Sequence, residues 1–562
     1  MDLQRIVAFV VFSFSLLMLW EAWQDYNHPK PATVTQAGSP QTTSPSLPTP
    51  GQALQAPTQQ AAPATGQAAV GARAVVKTDV LTATIDANGG DIRELVLPNY
   101  RRNDDRTQPF KLFEERAGRN FFAQSGFVGE GLVNHKTVFD LAPGQYELKP
   151  GQDTLKVAMK ATVAGTEVTK TYTFTRGSYV VAVEYSIHNA GATPVQGFPY
   201  YQLARHGQAP EGESAFVYTF TGPAMYTEAG KFQKINFDDV AKGKTDHAKA
   251  AQDGWIGMIQ HHFVAAWLMT DPADPAKREF YTRPLDNGEY SAGVILPALQ
   301  VAPGETKTAA MRLYAGPQEQ EKLKELAPGL EHVVDYGWLT VLAYPLFILL
   351  NWLENLVHNW GVAIILLTVL IKLAFYPLSA ASYKSMAQMR KLAPRLQHLK
   401  ERYGDDRQKL HEQMMKIYQE EKINPLGGCL PIVVQIPVFI ALYWVLMGAV
   451  ELRQAPFALW ITDLSAPDTL FGVMPYINMP IGLLPIVMAI TMFIQQKLSP
   501  TPPDPVQAKV MMFMPIAFSV FFFFFPSGLV LYWLVNNVLS ILQQWRINKV
   551  IERAGNAKPA TK

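Results

Sequence analysis

Residues 359–378 read NWGVAIILLTVLIKLAFYPL, and Lys372 is the one charged side chain among them. A helix needs about 20 apolar residues to cross the hydrocarbon of a bilayer, so this stretch predicts a membrane span. An ionisable side chain inside a span is costly and marks function by default. Two readings of Lys372 stand together. It snorkels to the nearby helix end, since Leu378 lies about 9 Å further on by helical rise, or it sits as a cation in a wet cavity between helices. The polar company favours the cavity. Thr368 lies one turn earlier on the same face. Gln435, Asn536 and Asn537 interrupt later apolar runs, with Tyr532 and Trp533 beside them. Each alone is an ordinary helix–helix hydrogen-bonding group; together they describe a hydrophilic cavity. The spans after the first hold no Asp or Glu to neutralise Lys372, which leaves the cation for an incoming anion.

Working outward, residues 429–449, 480–497, 510–525 and 526–545 read as four more spans. At the other end, 6–20 (IVAFVVFSFSLLMLW) is closed by Trp20 and Trp23 and lacks a small-residue cleavage site. It reads as a retained signal-anchor over 1–24 rather than a cleaved signal peptide. Six spans satisfy the positive-inside rule. The segment 379–428 carries ten Lys/Arg, 498–509 adds Lys509 and is flanked by Lys497, and the tail 546–562 is basic, whereas loop 450–479 holds Arg453 as its one basic residue. Residues 336–358 are interrupted by Pro345 and carry Glu354 and His358; they predict an amphipathic helix in the interface. A seventh span there would put the basic loop and tail outside. The topology expected is multi-pass, with both termini cytoplasmic and the large segment 71–335 on the outer face.

Residues 25–70 are rich in Pro, Thr, Gln and Ala and read as a disordered tether, unable to bury enough surface to offset ordering entropy. Beyond it, VLTATID at 80–86, TLKVAMKATV at 154–163 and YVVAVEYSI at 179–187 alternate apolar and polar residues. Gly89-Gly90 and Asn189-Ala190-Gly191 supply turns. This predicts a β sandwich over 71–335 with a helix near its end.

Within 379–428, residues 382–421 predict a cytoplasmic helical hairpin. Met386, Met389, Leu392, Leu396, Leu399 and Tyr403 keep helical spacing, and Leu410, Met414 and Ile417 form a second stripe. Gly404-Asp405-Asp406 breaks the pattern, and either Asp suits a helix cap. Pro394 is expected to kink the first arm. An ordinary solvated hairpin and a contact surface for variable partners both fit; Met386, Met389 and Met414 favour the second, since methionine adapts to its guest.

Several motifs resemble the YidC/Oxa/Alb family of membrane insertases: residues 359–378 themselves, DYGWLT at 335–340, NPLGGCLP at 424–431, ELRQAPFALWITDLS at 451–465, FPSGLVLYW at 525–533, and the pattern around Trp255 and Phe263. The resemblance covers about 71–550. It implies an insertase and folding chaperone for integral membrane proteins, alone or with the Sec translocon. It also implies a bacterial inner-membrane protein with a five-helix core, a periplasmic β-supersandwich shaped like sugar mutarotases, and a groove bearing a cation, matched by Lys372. Many members carry arginine there; lysine is a point charge without the bidentate fork. Thr368, Gln435, Trp533, Tyr532 and Asn536 are the other expected groove residues. The implied partners are nascent membrane proteins, ribosomes, the translocon and lipids.

No cofactor, metal or nucleotide is expected. The single cysteine, Cys429, rules out an internal disulfide, no Cys/His cluster has zinc spacing, and no Walker A pattern occurs. Two rivals come from other classes. A secondary transporter lacks an inverted repeat and an acidic relay here. A carbohydrate enzyme on the β domain would need a site such as His261-His262, yet adjacent residues of a strand face opposite sides.

Overall fold

The computed structural model describes residues 71–556 apart from 104, 209, 211–218, 272–275, 404–405, 422–429, 476–478 and 499–504. The expected anchor, the tether and Cys429 lie outside these. The chain divides between Val334 and Asp335 into two units.

The first unit is built of strands. Among the described residues an eleven-stranded and an eight-stranded sheet form. The three sequence segments with clear alternation become Thr82–Asp86, Thr154–Val163 and Val180–Asn189. In Thr166–Thr175 every second residue is buried, as a strand with one face on a core requires. The sheets meet face to face. Ser125 of one shares a 2.9 Å hydrogen bond with the Tyr185 hydroxyl of the other, and the Tyr201 and Trp267 rings lie 5.1 Å apart.

That interior also holds ions. Lys170 is fully buried and donates to the Gly89 carbonyl at 3.0 Å, while Tyr172 donates to Gly90 at 2.6 Å. Both glycines have positive φ, which turns their carbonyls inward at little steric cost. Desolvation pushes the Lys170 ammonium down to about 8, against the pull of Asp91; desolvation likewise raises the buried Asp91 carboxyl. Asp91 accepts from Arg93 at 3.0 Å and Gln124 at 2.8 Å, which compensates part of the cost of burial. His261 and His262 do not lie within a strand. They form the turn between Trp255–Gln260 and Phe263–Leu268, with their rings stacked 3.8 Å apart. The strand argument against a shared site therefore does not apply to them.

The second unit is helical: α1 (Thr340–Val357), α2 (Trp360–Ala374), α3 (Tyr376–Tyr403), α4 (Arg407–Glu420), α5 (Leu430–Gly448), α6 (Leu483–Leu498), α7 (Pro505–Phe522) and α8 (Ser527–Asn556). The last helix packs on α2, α3, α5 and α6, and α1 packs on α2 and α5. Asn359 caps α2, accepting from the Val362 amide at 3.0 Å while its own amide donates to the Phe457 carbonyl at 3.0 Å. A Cβ on Gly361 would meet the Phe457 ring at 2.1 Å, so glycine permits this close approach.

Among the described residues only α1 is by itself long and apolar enough to cross a membrane. The α2 helix reaches that length only together with Tyr376–Met389, across a 67° bend at Phe375. The apolar parts Val434–Gly448, Leu483–Leu498 and Met512–Phe522 are shorter. The α1 helix has three faces. Ala343, Phe347, Leu350 and Leu353 are buried, Val341, Ile348, Trp352 and Leu356 are exposed, and Thr340, Tyr344, Asn351 and Asn355 form a polar strip beside them.

The hairpin is α3 and α4. Asp406 caps α4, accepting from the Lys409 amide at 3.1 Å. Pro394 lies inside α3. Leu396, Ile417 and Tyr418 form a small core, with Leu392, Leu399 and Met414 against it. Arg395 reaches across the arms to Glu421 at 3.1 Å. Met386 and Met389 are half-buried.

Candidate substrate cleft

Lys372 lies in the last turn of α2, two residues before the helix ends. A cation is favoured there by the carbonyl dipoles of the helix C-terminus. With Ile371, Phe375, Leu378, Ser379, Val434 and Gln435 it lines a small open cleft. Lys372 Nζ donates to the Ser540 hydroxyl of α8 at 2.7 Å, and Ser540 donates to the Asn536 carbonyl at 2.8 Å. Among the described residues no carboxylate pairs with Lys372. The ammonium keeps two of its three donors for other acceptors.

Gln435 of α5 shares that cleft and donates to Asn536 Oδ1 of α8. Lys372, Gln435, Asn536 and Ser540 thus form one polar group shared by three helices. Asn537 points elsewhere, donating to Thr491 of α6 at 3.3 Å. The remaining expected groove residues are placed differently. Thr368 is buried, and its hydroxyl bonds the Ile364 carbonyl of its own helix at 2.7 Å. Tyr532 is buried with its ring 6.3 Å from Phe439. Trp533 is half-buried, edge-on to Phe439 at 4.6 Å and tilted against Phe522 at 5.4 Å. None of these three is among the residues lining the small cleft at Lys372. Ser540 gave no sequence signal, because serine is common in packed apolar helices and bonds its own i−4 carbonyl.

The chemistry open to this cleft is recognition. A cation with spare donors beside an amide pair can hold a carboxylate or a chain terminus.

The model of the YidC periplasmic domain matches residues 73–349, and that of the 60Kd inner membrane protein matches 352–554. Membrane protein insertase YidC of Thiobacillus denitrificans is 58% identical over 562 residues, covering 100% of both chains. That of Methylobacillus flagellatus is 53% identical, covering 99% of both. A solved structure of an active YidC insertase with its first transmembrane domain resolved is 19% identical, with a TM-score of 0.38, covering 84% of this chain and 94% of that one. From the two family models and the full-length relatives, the chain belongs to the YidC family of membrane protein insertases.

Proposed function

We propose that this protein inserts nascent membrane proteins into the bacterial inner membrane by receiving a polar or acidic terminus in the cleft at Lys372. The observation that carries the reading is the unneutralised cation, bonded to Ser540 and sharing its cavity with Gln435. Moving a polar terminus through lipid costs several kcal/mol for each unsatisfied group. A half-channel with water and a cation shortens that path. The substrate helix leaves sideways along α5 and α7, where Ile436, Phe513, Phe518 and Phe521 are exposed and apolar. For an anionic tail moving outward, a membrane positive outside contributes about 2.3 kcal/mol per charge per 100 mV. Neither nucleotide nor cofactor takes part.

The topology that fits has six spans: 1–24, 359–378, 429–449, 480–497, 510–525 and 526–545, with both termini cytoplasmic and the β domain periplasmic. The length of α1 alone permits a span, but its polar strip beside an exposed apolar face fits a helix lying at the interface. The bent pair at Phe375 and the shorter helices cross as a bundle in a locally thinned bilayer. The hairpin α3–α4 stands at the cytoplasmic mouth, where the ribosome delivers chains, and the Sec translocon is a partner for larger substrates. Purified protein in liposomes, given a small single-span substrate and no nucleotide, tests this. Insertion above empty liposomes is expected. Equal insertion by both, or a strict requirement for ATP, would refute it.

A further inference from the structure

The segment 450–482 joins α5 to α6, at the end of the bundle away from the basic hairpin. It contains four charged residues, Glu451, Arg453, Asp463 and Asp468. None of them is exposed. Asp463 accepts from the amides of Gln454 and Ser465 at 3.0 and 2.9 Å and from the Ser465 hydroxyl at 2.7 Å. Asp468 accepts from the Trp460 indole at 3.2 Å and the Leu470 and Leu484 amides at 3.1 and 2.9 Å. Arg453 is buried and Glu451 half-buried. Among the described residues of the segment, the exposed large apolar side chains are Leu459, Leu470, Phe471, Val473 and Met474, of which Leu459 is 89% exposed and Phe471 59%. An ordinary water-facing loop has the reverse arrangement, with charges outward and large apolar groups inward.

Two further facts point the same way. Leu459 has φ +56, a left-handed conformation unfavourable for a side chain other than glycine, asparagine or aspartate. That strain holds a leucine out in the open, so something beyond the loop must reward it. The underside is fixed as well. Gly528 and Ser527 amides donate to the Leu464 and Ala466 carbonyls at 2.9 and 2.8 Å, and Phe457 is held by Asn359. The apolar residues therefore cannot fold in without breaking this seat. The chain then runs into α6, whose exposed residues Ile486, Ile490 and Phe493 are apolar too. The apolar surface of the membrane helix thus continues onto the loop.

We infer that this segment is immersed in the bilayer, with Leu459 and the Phe471–Met474 turn among the acyl chains of the leaflet opposite the hairpin. The inference rests on the membrane placement of the helices and not on insertion activity. Five large apolar groups on a segment whose charges are turned away from its surface suit an acyl environment.

The test uses the full chain with Cys429→Ser, carrying Leu459→Cys or Val473→Cys labelled with an environment-sensitive fluorophore, in substrate-free proteoliposomes. Lys136→Cys in the β domain is the aqueous reference, since Lys136 is exposed. Both loop sites should be quenched by doxyl-labelled lipid and at least fivefold less by iodide than the reference. Iodide quenching equal to the reference overturns the inference in favour of a water-facing loop. Shielding from both quenchers overturns it in favour of a protein cover. Two sites in different turns keep the test decisive if one variant misfolds.

Discussion

Lys372 donates to the hydroxyl of Ser540, 168 residues later in the chain, at 2.7 Å. The bond ties the second expected span to the last, and it takes up one of the three donors of the ammonium. An entering carboxylate can take the two remaining donors and compete with a neutral hydroxyl for the third, a contest that a charge-assisted pair wins. Ser540→Ala should therefore leave insertion within about threefold of the parent and raise crosslinking of an acidic tail to a probe at Gln435. The lost bond, worth about 1.5–3 kcal/mol where nothing replaces it, is partly made up by water in the cleft. A loss of insertion as deep as that of a charge reversal at Lys372 would show that Ser540 holds the ammonium in its working position.

The hairpin core is small: Leu396, Ile417 and Tyr418 with three flanking residues. Few buried contacts mean cheap local opening. Ile417→Ala should lower the local stability of α3–α4 by about 2 kcal/mol, read as faster hydrogen exchange there with unchanged exchange in α8. Photo-crosslinkers at Met386 and Met414 should capture short stalled nascent chains, and one at Gln435 longer ones. Crosslinks appearing first at Gln435 would contradict a hairpin that meets substrate before the cleft.

The β unit has its own sandwich core and ends before Asp335. Removing 71–317, through the last strand Thr306–Pro317, should keep at least about half of the insertion of a small substrate in liposomes. Abolished insertion by a deletion variant whose helical unit still folds would make the β domain part of the mechanism.

Within that domain His247 receives from Lys249 at 3.2 Å and lies 3.0 Å from the Thr282 hydroxyl. Burial, and then the Lys249 charge, push its imidazole down to about 4. The folded state thus binds its proton less readily than the unfolded chain. The stabilisation is complete above about pH 6.5, the ordinary histidine value, and is lost as pH falls toward 4, by up to about 1.4 kcal/mol per pH unit. Hydrogen exchange in the strand Arg278–Pro284 should quicken over that window, and His247→Gln should flatten the dependence. An unchanged profile in the variant would assign the acid sensitivity elsewhere.

Much of the architecture was legible because its signals are local. Strict alternation marked Thr154–Val163, and Asp406 was readable as a cap since its partner is three residues away. Lys372 and Gln435 stood out as polar groups in apolar runs. What sequence did not reveal depends on rotation about helix axes and on distant pairing. Thr368 shares a helical face with Lys372, yet its hydroxyl is spent on Ile364. Ser540 meets Lys372 only because α8 packs across α2. The β interior hid its ions similarly: Asp91 and Lys170 lie on separate strands whose proximity only the stacked sheets create.

The central claim is that the charge of Lys372, more than its shape, guides acidic termini. The most direct measurement compares Lys372→Arg and Lys372→Glu in proteoliposomes, using one substrate with an acidic tail and one with a neutral tail. The account predicts that Lys372→Arg stays within about threefold of the parent, and that Lys372→Glu loses at least tenfold on the acidic tail, about 1.4 kcal/mol or more, and less on the neutral one. Equal insertion of the acidic-tailed substrate by Lys372→Glu and the parent would contradict it.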